Sequence, residues 1–317
     1  MTQAVVIAGP GQIGLQEVSL KQPGPQDVVI ETVYTSVSAG TERMLLAGQM
    51  PHPMLQLPVI PGYETVGRVT AIGNAVSQDW LDRWVYVGGA QCYEGINAAW
   101  GGQSARLFTH VDRVVPLDDV PPREGVLLAL AATSLHGIDL LAPQPSDRVL
   151  VLGQGPVGQF AARIACMQEA WVAVTDRNPN RLEASVGDAI IDVSNTPVSD
   201  ALDEPVAAIV EASGSMAALT EALPLLAPGG TILLLGYYQT LDLPYMPLFL
   251  KEARLLTAKE WAPGDLLRCR DQLASGALHA SALITHDMPI TAVEAGYETA
   301  MDDPDCLKLV FDWTGLA

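Results

Sequence analysis

Three glycines in the run Gly153-Gln154-Gly155-Pro156-Val157-Gly158 follow the apolar segment RVLVL and precede an amphipathic segment. With this spacing a chain turns tightly out of a strand, lays its backbone against a pyrophosphate, and starts a helix whose N-terminus faces the anion. Gly153 serves the turn, Gly155 the close backbone approach and Gly158 the packing of helix on strand, with Pro156 and Val157 opening the helix. Asp176 ends the segment WVAVTD, 18 residues after Gly158. A carboxylate there can accept from the hydroxyls of an adenosine ribose and repel a 2′-phosphate, which favours NAD over NADP. Arg177 and Arg181 follow it and can pair with a phosphate, so they pull the other way.

The elements around this turn alternate. Strands are expected at 148–153, 171–176, 206–212 and 230–238, with a short one at 189–193 and helices at 157–169, 180–186 and 217–226 between them. A sixth strand is read at 253–261, helices near 264–275 and 292–301, and a closing strand at 306–313. Near-continuously apolar strands separated by helices predict a parallel sheet covered on both faces. The first 120 or so residues differ. They carry β-branched runs at 4–8, 27–35, 64–72 and 83–89 punctuated by Gly and Pro, with one short helix at 42–47, and so predict a barrel-like β unit. The pattern changes at Pro121-Pro122, after which 123–141 reads as helix.

The 317 residues suggest two domains. Apolar types make up 49% and charged types 17%, a composition able to bury a large core. Seventeen basic against 36 acidic residues leave a net charge of −19, which disfavours nucleic acid and anionic lipid as partners. A small-molecule substrate is expected instead. Cys92, Cys166, Cys269 and Cys306 form no CxxC pair, which fits a reducing cytoplasm. The N-terminus shows no secretory signal, and the apolar stretch 126–141 is short for a membrane span and reads as a buried helix.

Several of these segments together resemble the medium-chain dehydrogenase/reductase superfamily. They are the segment around 65–73, the GQGPVG turn, VEASG at 210–214, LAPGGTILLLG at 226–236, and the closing LITH and CLKLVFDW segments. The resemblance implies a GroES-like β-barrel domain at 1–125, a Rossmann doubly wound domain at 126–259, and a return to the first domain over 260–317. It implies cofactor contacts from Thr133, Gly214 and Gly236 beside those of the glycine turn, and a homodimer formed through the 253–261 edge. Zinc-dependent members carry Cys and His where this chain has Ala39 and Tyr63. Neither residue is a zinc ligand at neutral pH, so no metal residue is assigned and the expected chemistry runs without zinc.

Oxidation of an alcohol by hydride transfer still needs a group to take the hydroxyl proton. The positions that the resemblance brings to the site are Thr41, Tyr63, Glu64 and His136. Thr41 matches the superfamily's relay hydroxyl, but can equally cap a helix. Tyr63 can bond the substrate oxygen or simply pack. Glu64 can act as a base if burial raises its pKa, or only accept a structural hydrogen bond. His136 can relay a proton or sit satisfied in the core. His286 and the pair Glu260-Trp261 read as structural.

The segments at 38–51, 58–69, 88–95, 249–261, 276–286 and 296–313 are similar, more narrowly, to the 3-hydroxyethyl bacteriochlorophyllide a dehydrogenase family. That similarity implies oxidation of a 1-hydroxyethyl group on a chlorin ring to acetyl, within bacteriochlorophyll biosynthesis. Met44, Leu45, Met50, Trp100 and Tyr238 can line a cleft for such a ring, although packing in the core is the favoured reading. Two alternatives stay open: a sugar or other small secondary alcohol as substrate, and a catalytically silent dinucleotide-binding regulator.

Overall fold

The computed structural model describes residues 1–51 and 55–316. They divide into two compact units, Met1–Ala129 with Ile284–Ala317, and Leu130–Leu283.

The first unit is a barrel of mostly antiparallel strands. One sheet runs Val114–Pro116, Trp84–Val87, Thr65–Ile72, Asp27–Ser36, Leu309–Asp312 and His286–Pro289, and Arg106–His110 adds to Asp27–Ser36. A second sheet is built on the hairpin Thr2–Gly9 and Gln12–Leu20. Alternation places Ala4, Val6, Val28, Ile30, Val69 and Val85 in one fully buried cluster, the half-apolar pattern expected of such strands. A second cluster joins the helix Val293–Asp302 to the closing strand through Tyr297, Phe311 and Trp313. The strand Gln12–Leu20 escapes a sequence reading because QIGLQEVSL carries few β-branched residues, and only its pairing with Thr2–Gly9 extends it.

The second unit is a six-stranded parallel sheet in the order Ala189–Asp192, Trp171–Asp176, Arg148–Leu152, Val206–Glu211, Leu226–Leu234, Arg254–Thr257. The first strand of the unit, Arg148–Leu152, lies between the second and the fourth. The chain order therefore reverses beside it, and its C-terminal end opens the crevice where such sheets take ligands. Leu150, Ile209 and Ile232 are buried in this core.

The chain returns to the first unit at Ile284, whereas the sequence places that return at 260. The intervening helix Asp265–Ala274 is held in the second unit, with Arg268 paired to Asp139 and the Arg163 guanidinium donating to the His279 carbonyl at 2.9 Å. The helix Tyr245–Lys251 is also unread from sequence, because a proline sits within it. The stretch Glu124–Leu141 has the length and apolar character of a membrane span, yet 61% of it is buried within the fold, as in a core helix. All four cysteines are free thiols.

Candidate active site

In the first unit, Pro61 and Gly62 bring the chain out of a strand and into Tyr63. Gly62 has φ +94°, and a Cβ there would stand 2.5 Å from Gln103 Cγ and 3.1 Å from its main-chain nitrogen, so only glycine fits the turn. The Tyr63 ring packs edge-on against Trp100, centroids 5.1 Å apart, and its carbonyl accepts from Tyr86 Oη at 2.7 Å. These contacts aim Tyr63 Oη at the first turn of the helix Ala39–Leu46, where it meets Thr41 Oγ1 at 3.3 Å and hydrogen-bonds Ser38 Oγ. Burial, reinforced by the charge of Glu64, pushes the phenol's pKa further above its ordinary range, so Tyr63 is a neutral donor and acceptor at any working pH. Thr41 is inside the helix, and the N-cap position belongs to Ser38.

Glu64 points elsewhere. It is 1% exposed, and its Oε2 accepts from Ser36 Oγ at 2.5 Å and pairs with the Lys308 ammonium, itself 2% exposed. Glu64 Oε1 has no hydrogen-bond partner among the described residues. The surrounding groups are satisfied: Gln103 Nε2 donates to the Ser36 carbonyl at 3.1 Å, Thr35 Oγ1 to Gln103 Oε1 at 2.6 Å, and Trp313 Nε1 to Thr35 Oγ1 at 2.8 Å. Glu42, also fully buried, accepts from the Ser38 N–H at 3.1 Å and from Tyr297 Oη. Burial is the main cause that raises its pKa to about 7.

Ala39 offers no donor atom, and the Tyr63 hydroxyl is a neutral phenol already engaged by Ser38 and Thr41. This donor set does not fit zinc. Among the described residues no group of three or more His, Cys, Asp or Glu side chains could hold a metal ion.

In the second unit the glycine turn has the shape its spacing predicts. Gly153 has φ +86°, with Ser213 Cα 2.6 Å from where its Cβ would be, and a Cβ on Gly158 would lie 1.9 Å from the Gly153 carbonyl oxygen. A Cβ on Gly155 would meet nothing within 4 Å. The turn is therefore closed against the protein and open at the one position where a pyrophosphate must approach, which fits a dinucleotide. Pro156 and Val157 begin the helix Pro156–Met167, and Ser134 Oγ holds the Val157 carbonyl at 3.1 Å. Thr133, partly buried, precedes Ser134 in the helix Leu128–Leu141.

The Asp176 carboxylate accepts three main-chain N–H groups, Gln154 at 2.6 Å, Arg177 at 2.7 Å and Asn178 at 2.9 Å. It locks the second strand's end to the glycine turn, while the Arg177 side chain is exposed. Glu211 does similar work on the next loop, accepting from the N–H groups of Ser213 and Gly214 at 2.8 and 3.2 Å. Burial raises its pKa against those bonds. Gly214 has φ +73°, and a Cβ on Gly236 would stand 2.6 Å from Glu211 Oε2. His136 Nδ1 faces Asp265 Oδ2 at 3.8 Å, and Asp265 also takes Arg268 at 3.1 Å.

The structure thus joins Thr41 to Tyr63, turns Glu64 toward Lys308, and pairs His136 with Asp265. Sequence reasoning missed Ser38, Ser36, Gln103, Lys308 and Glu211. Lys308 did leave a signal, as the one charge inside the apolar run CLKLVF. Of the expected lining residues, Leu45 and Met50 are buried in a core cluster against which Met44 and Trp100 pack, and Tyr238 packs on the core of the second unit.

Residues 24–119 match the family model of the alcohol dehydrogenase GroES-like domain, and residues 156–261 match that of the zinc-binding dehydrogenases. The chain is 36% identical to a 2-desacetyl-2-hydroxyethyl bacteriochlorophyllide A dehydrogenase from Rhodobacter capsulatus, over 98% of each chain. It is 37% identical to the enzyme of that name from Cereibacter sphaeroides, over 100% of this chain and 99% of the relative. A short chain alcohol dehydrogenase from E. coli CFT073, solved in complex with NADH, superposes with a TM-score of 0.86 at 21% identity, over 98% of this chain and 99% of that one. The chain belongs to the medium-chain dehydrogenase/reductase family and is an NAD(P)-binding oxidoreductase of CH–OH groups.

Proposed function

We propose that this enzyme oxidises the 1-hydroxyethyl side chain of a bacteriochlorophyllide to acetyl, with NAD as hydride acceptor and without catalytic zinc. Full-length similarity to two bacteriochlorophyllide dehydrogenases carries the choice of substrate. When bound, the nicotinamide takes the hydride from the carbinol carbon. Tyr63 hydrogen-bonds the alcohol oxygen, a task left to a neutral hydroxyl where zinc-dependent relatives use metal, and Thr41 extends the hydroxyl chain through which the proton leaves. Glu64, paired with Lys308, fixes the local charge. His136 is the alternative proton carrier, with Asp265 Oδ2 3.8 Å from its Nδ1. Gly153, Gly155, Pro156, Val157 and Gly158 would hold the pyrophosphate of a bound dinucleotide, Asp176 would receive its adenosine ribose, and Thr133, Gly214 and Gly236 would border its nicotinamide half.

The test is incubation of purified protein with NAD and the hydroxyethyl pigment, following NADH and the acetyl product, with calorimetry against NAD and NADP. Turnover that survives a strong chelator, with tighter binding of NAD, is expected. Turnover of a polyol but not of the pigment would move the substrate to the small-alcohol reading. Absence of any hydride transfer would favour the silent regulator, and activity restored only by added zinc would overturn the metal-free chemistry. Replacing Tyr63 by Phe should lower kcat by about 100-fold or more, the scale of a lost proton-handling group.

We also propose a homodimer. Arg254–Thr257 is an outermost strand of its sheet, and Tyr245, Met246, Phe249, Leu250 and Leu255 beside it are exposed. A cavity of about 210 Å³ lies among Leu243, Leu248 and Leu255. An open edge with an apolar flank is a surface that a second sheet covers. Light scattering should give a dimer for the wild type and a monomer for Phe249→Glu/Leu255→Glu; a monomeric wild type sinks this reading.

A further inference from the structure

Ser38 stands at the N-cap of the helix Ala39–Leu46 but makes no side-chain capping bond. A serine at this position ordinarily accepts from a main-chain N–H of the first turn, and that bond is the usual reason for its presence. Here its hydroxyl is turned away from the helix and bonded to Tyr63 Oη. The cap is half replaced from the other direction, because Glu42 reaches back to accept the Ser38 N–H. The helix therefore keeps its first turn ordered while the serine hydroxyl is committed elsewhere. Ser38 is 7% exposed, so water does not compete freely for that hydroxyl.

The partner matters more than the lost cap. A phenol has one hydrogen and accepts through its oxygen, so its useful direction is undefined until neighbours fix it. Thr41 lies at 3.3 Å, at the long end of a hydrogen bond, and alone sets that direction loosely. Ser38 is the closer of the two hydroxyls and comes from the residue just before the helix, a point held by Glu42. We propose that Ser38 is a positioning residue for the reaction, giving up its helix cap to fix the orientation of the Tyr63 hydroxyl toward the alcohol oxygen. This rests on the reading of Tyr63 as the group that bonds the substrate. Ser38 itself transfers nothing; it sets how often Tyr63 is aligned.

The variants separate positioning from capping. Ser38→Ala removes the hydroxyl but no capping bond, so its melting temperature should fall by only a few degrees, the cost of one lost hydrogen bond, while kcat falls by about 10- to 100-fold, the scale of a misaligned catalytic group. KM for NAD should not move, since the dinucleotide cradle is untouched. Ser38→Thr keeps a hydroxyl and should recover most of kcat. The proposal is overturned if Ser38→Ala retains kcat within twofold, or if Ser38→Thr stays as slow as Ser38→Ala. Tyr63→Phe is the control that keeps the two readings apart. A slow Tyr63→Phe beside a normal Ser38→Ala defeats only the role of Ser38, whereas a fully active Tyr63→Phe removes the reading beneath it.

Discussion

Lys308→Met is expected to destabilise the protein by about 3–5 kcal/mol, the largest effect of any single change at the site. Both partners of the Lys308–Glu64 pair are essentially inaccessible to water. Removing the ammonium leaves a carboxylate whose Oε2 keeps only Ser36 and whose Oε1 has no partner among the described residues. A buried charge without compensation must either stay desolvated or take a proton, and both routes cost stability. At about 2–4 °C per kcal/mol for a unit of this size, the melting temperature should fall by roughly 10 °C. The double change Lys308→Met/Glu64→Gln removes both charges and should recover most of the loss, because two neutral partners no longer need each other. A Lys308→Met protein that melts within about 2 °C of the wild type would show the pair to be solvated in solution.

Glu42→Gln is expected to act in the opposite direction and only above about pH 4.5. Burial raises the Glu42 pKa from 4.5 to about 7, against the opposing bonds from Tyr297 and Ser38. The folded chain therefore holds a proton that the unfolded chain releases. The stability this confers is fully present below about pH 4.5 and is lost as pH rises through about 7. A shift of this size corresponds to about 3 kcal/mol. Glutamine keeps both neighbours, accepting the Ser38 N–H and donating to Tyr297 Oη, while remaining neutral. Melting curves of wild type and Glu42→Gln should coincide below about pH 4.5, diverge steadily as pH rises from there, and run parallel above about pH 7 with the variant about 3 kcal/mol more stable. Glu64 and Lys308 also act on Glu42, with opposite signs, so with Glu64 still charged the same series in Lys308→Met should show a divergence that extends to higher pH and ends larger. A flat difference between the two proteins, or one that grows toward acid, would show Glu42 to be ionised throughout.

How much of this could be read from the chain alone follows from the range of the contacts. The glycine turn was legible because its constraints are local: Gly158 packs on the Gly153 carbonyl and Asp176 holds the Gln154 N–H, all within one strand–helix–strand unit. The alternation of strands and helices was legible for the same reason. Thr41 and Tyr63 could be nominated as a set, but not their third member, since a serine one residue before a helix reads as a cap and nothing local says that its hydroxyl leaves the helix. Lys308 and Glu64 meet only because strand Leu309–Asp312 takes its register from Asp27–Ser36, a pairing no window of sequence contains. The chain returns to the barrel later than the sequence places it because the residues that delay it, Arg163, Asp139 and Arg268, hold their partners at long sequence distance.

That late return sets the order of events during synthesis. A nascent chain can complete the parallel sheet of the second unit while its first 129 residues still wait for a strand, for Trp313 on Thr35, and for the counter-ion of Glu64. The barrel closes only after residue 313 has left the ribosome, so the earliest-made part of the enzyme is the last to be finished. A chain cut before Lys308 would keep its dinucleotide cradle and carry an unsealed, acid-bearing barrel.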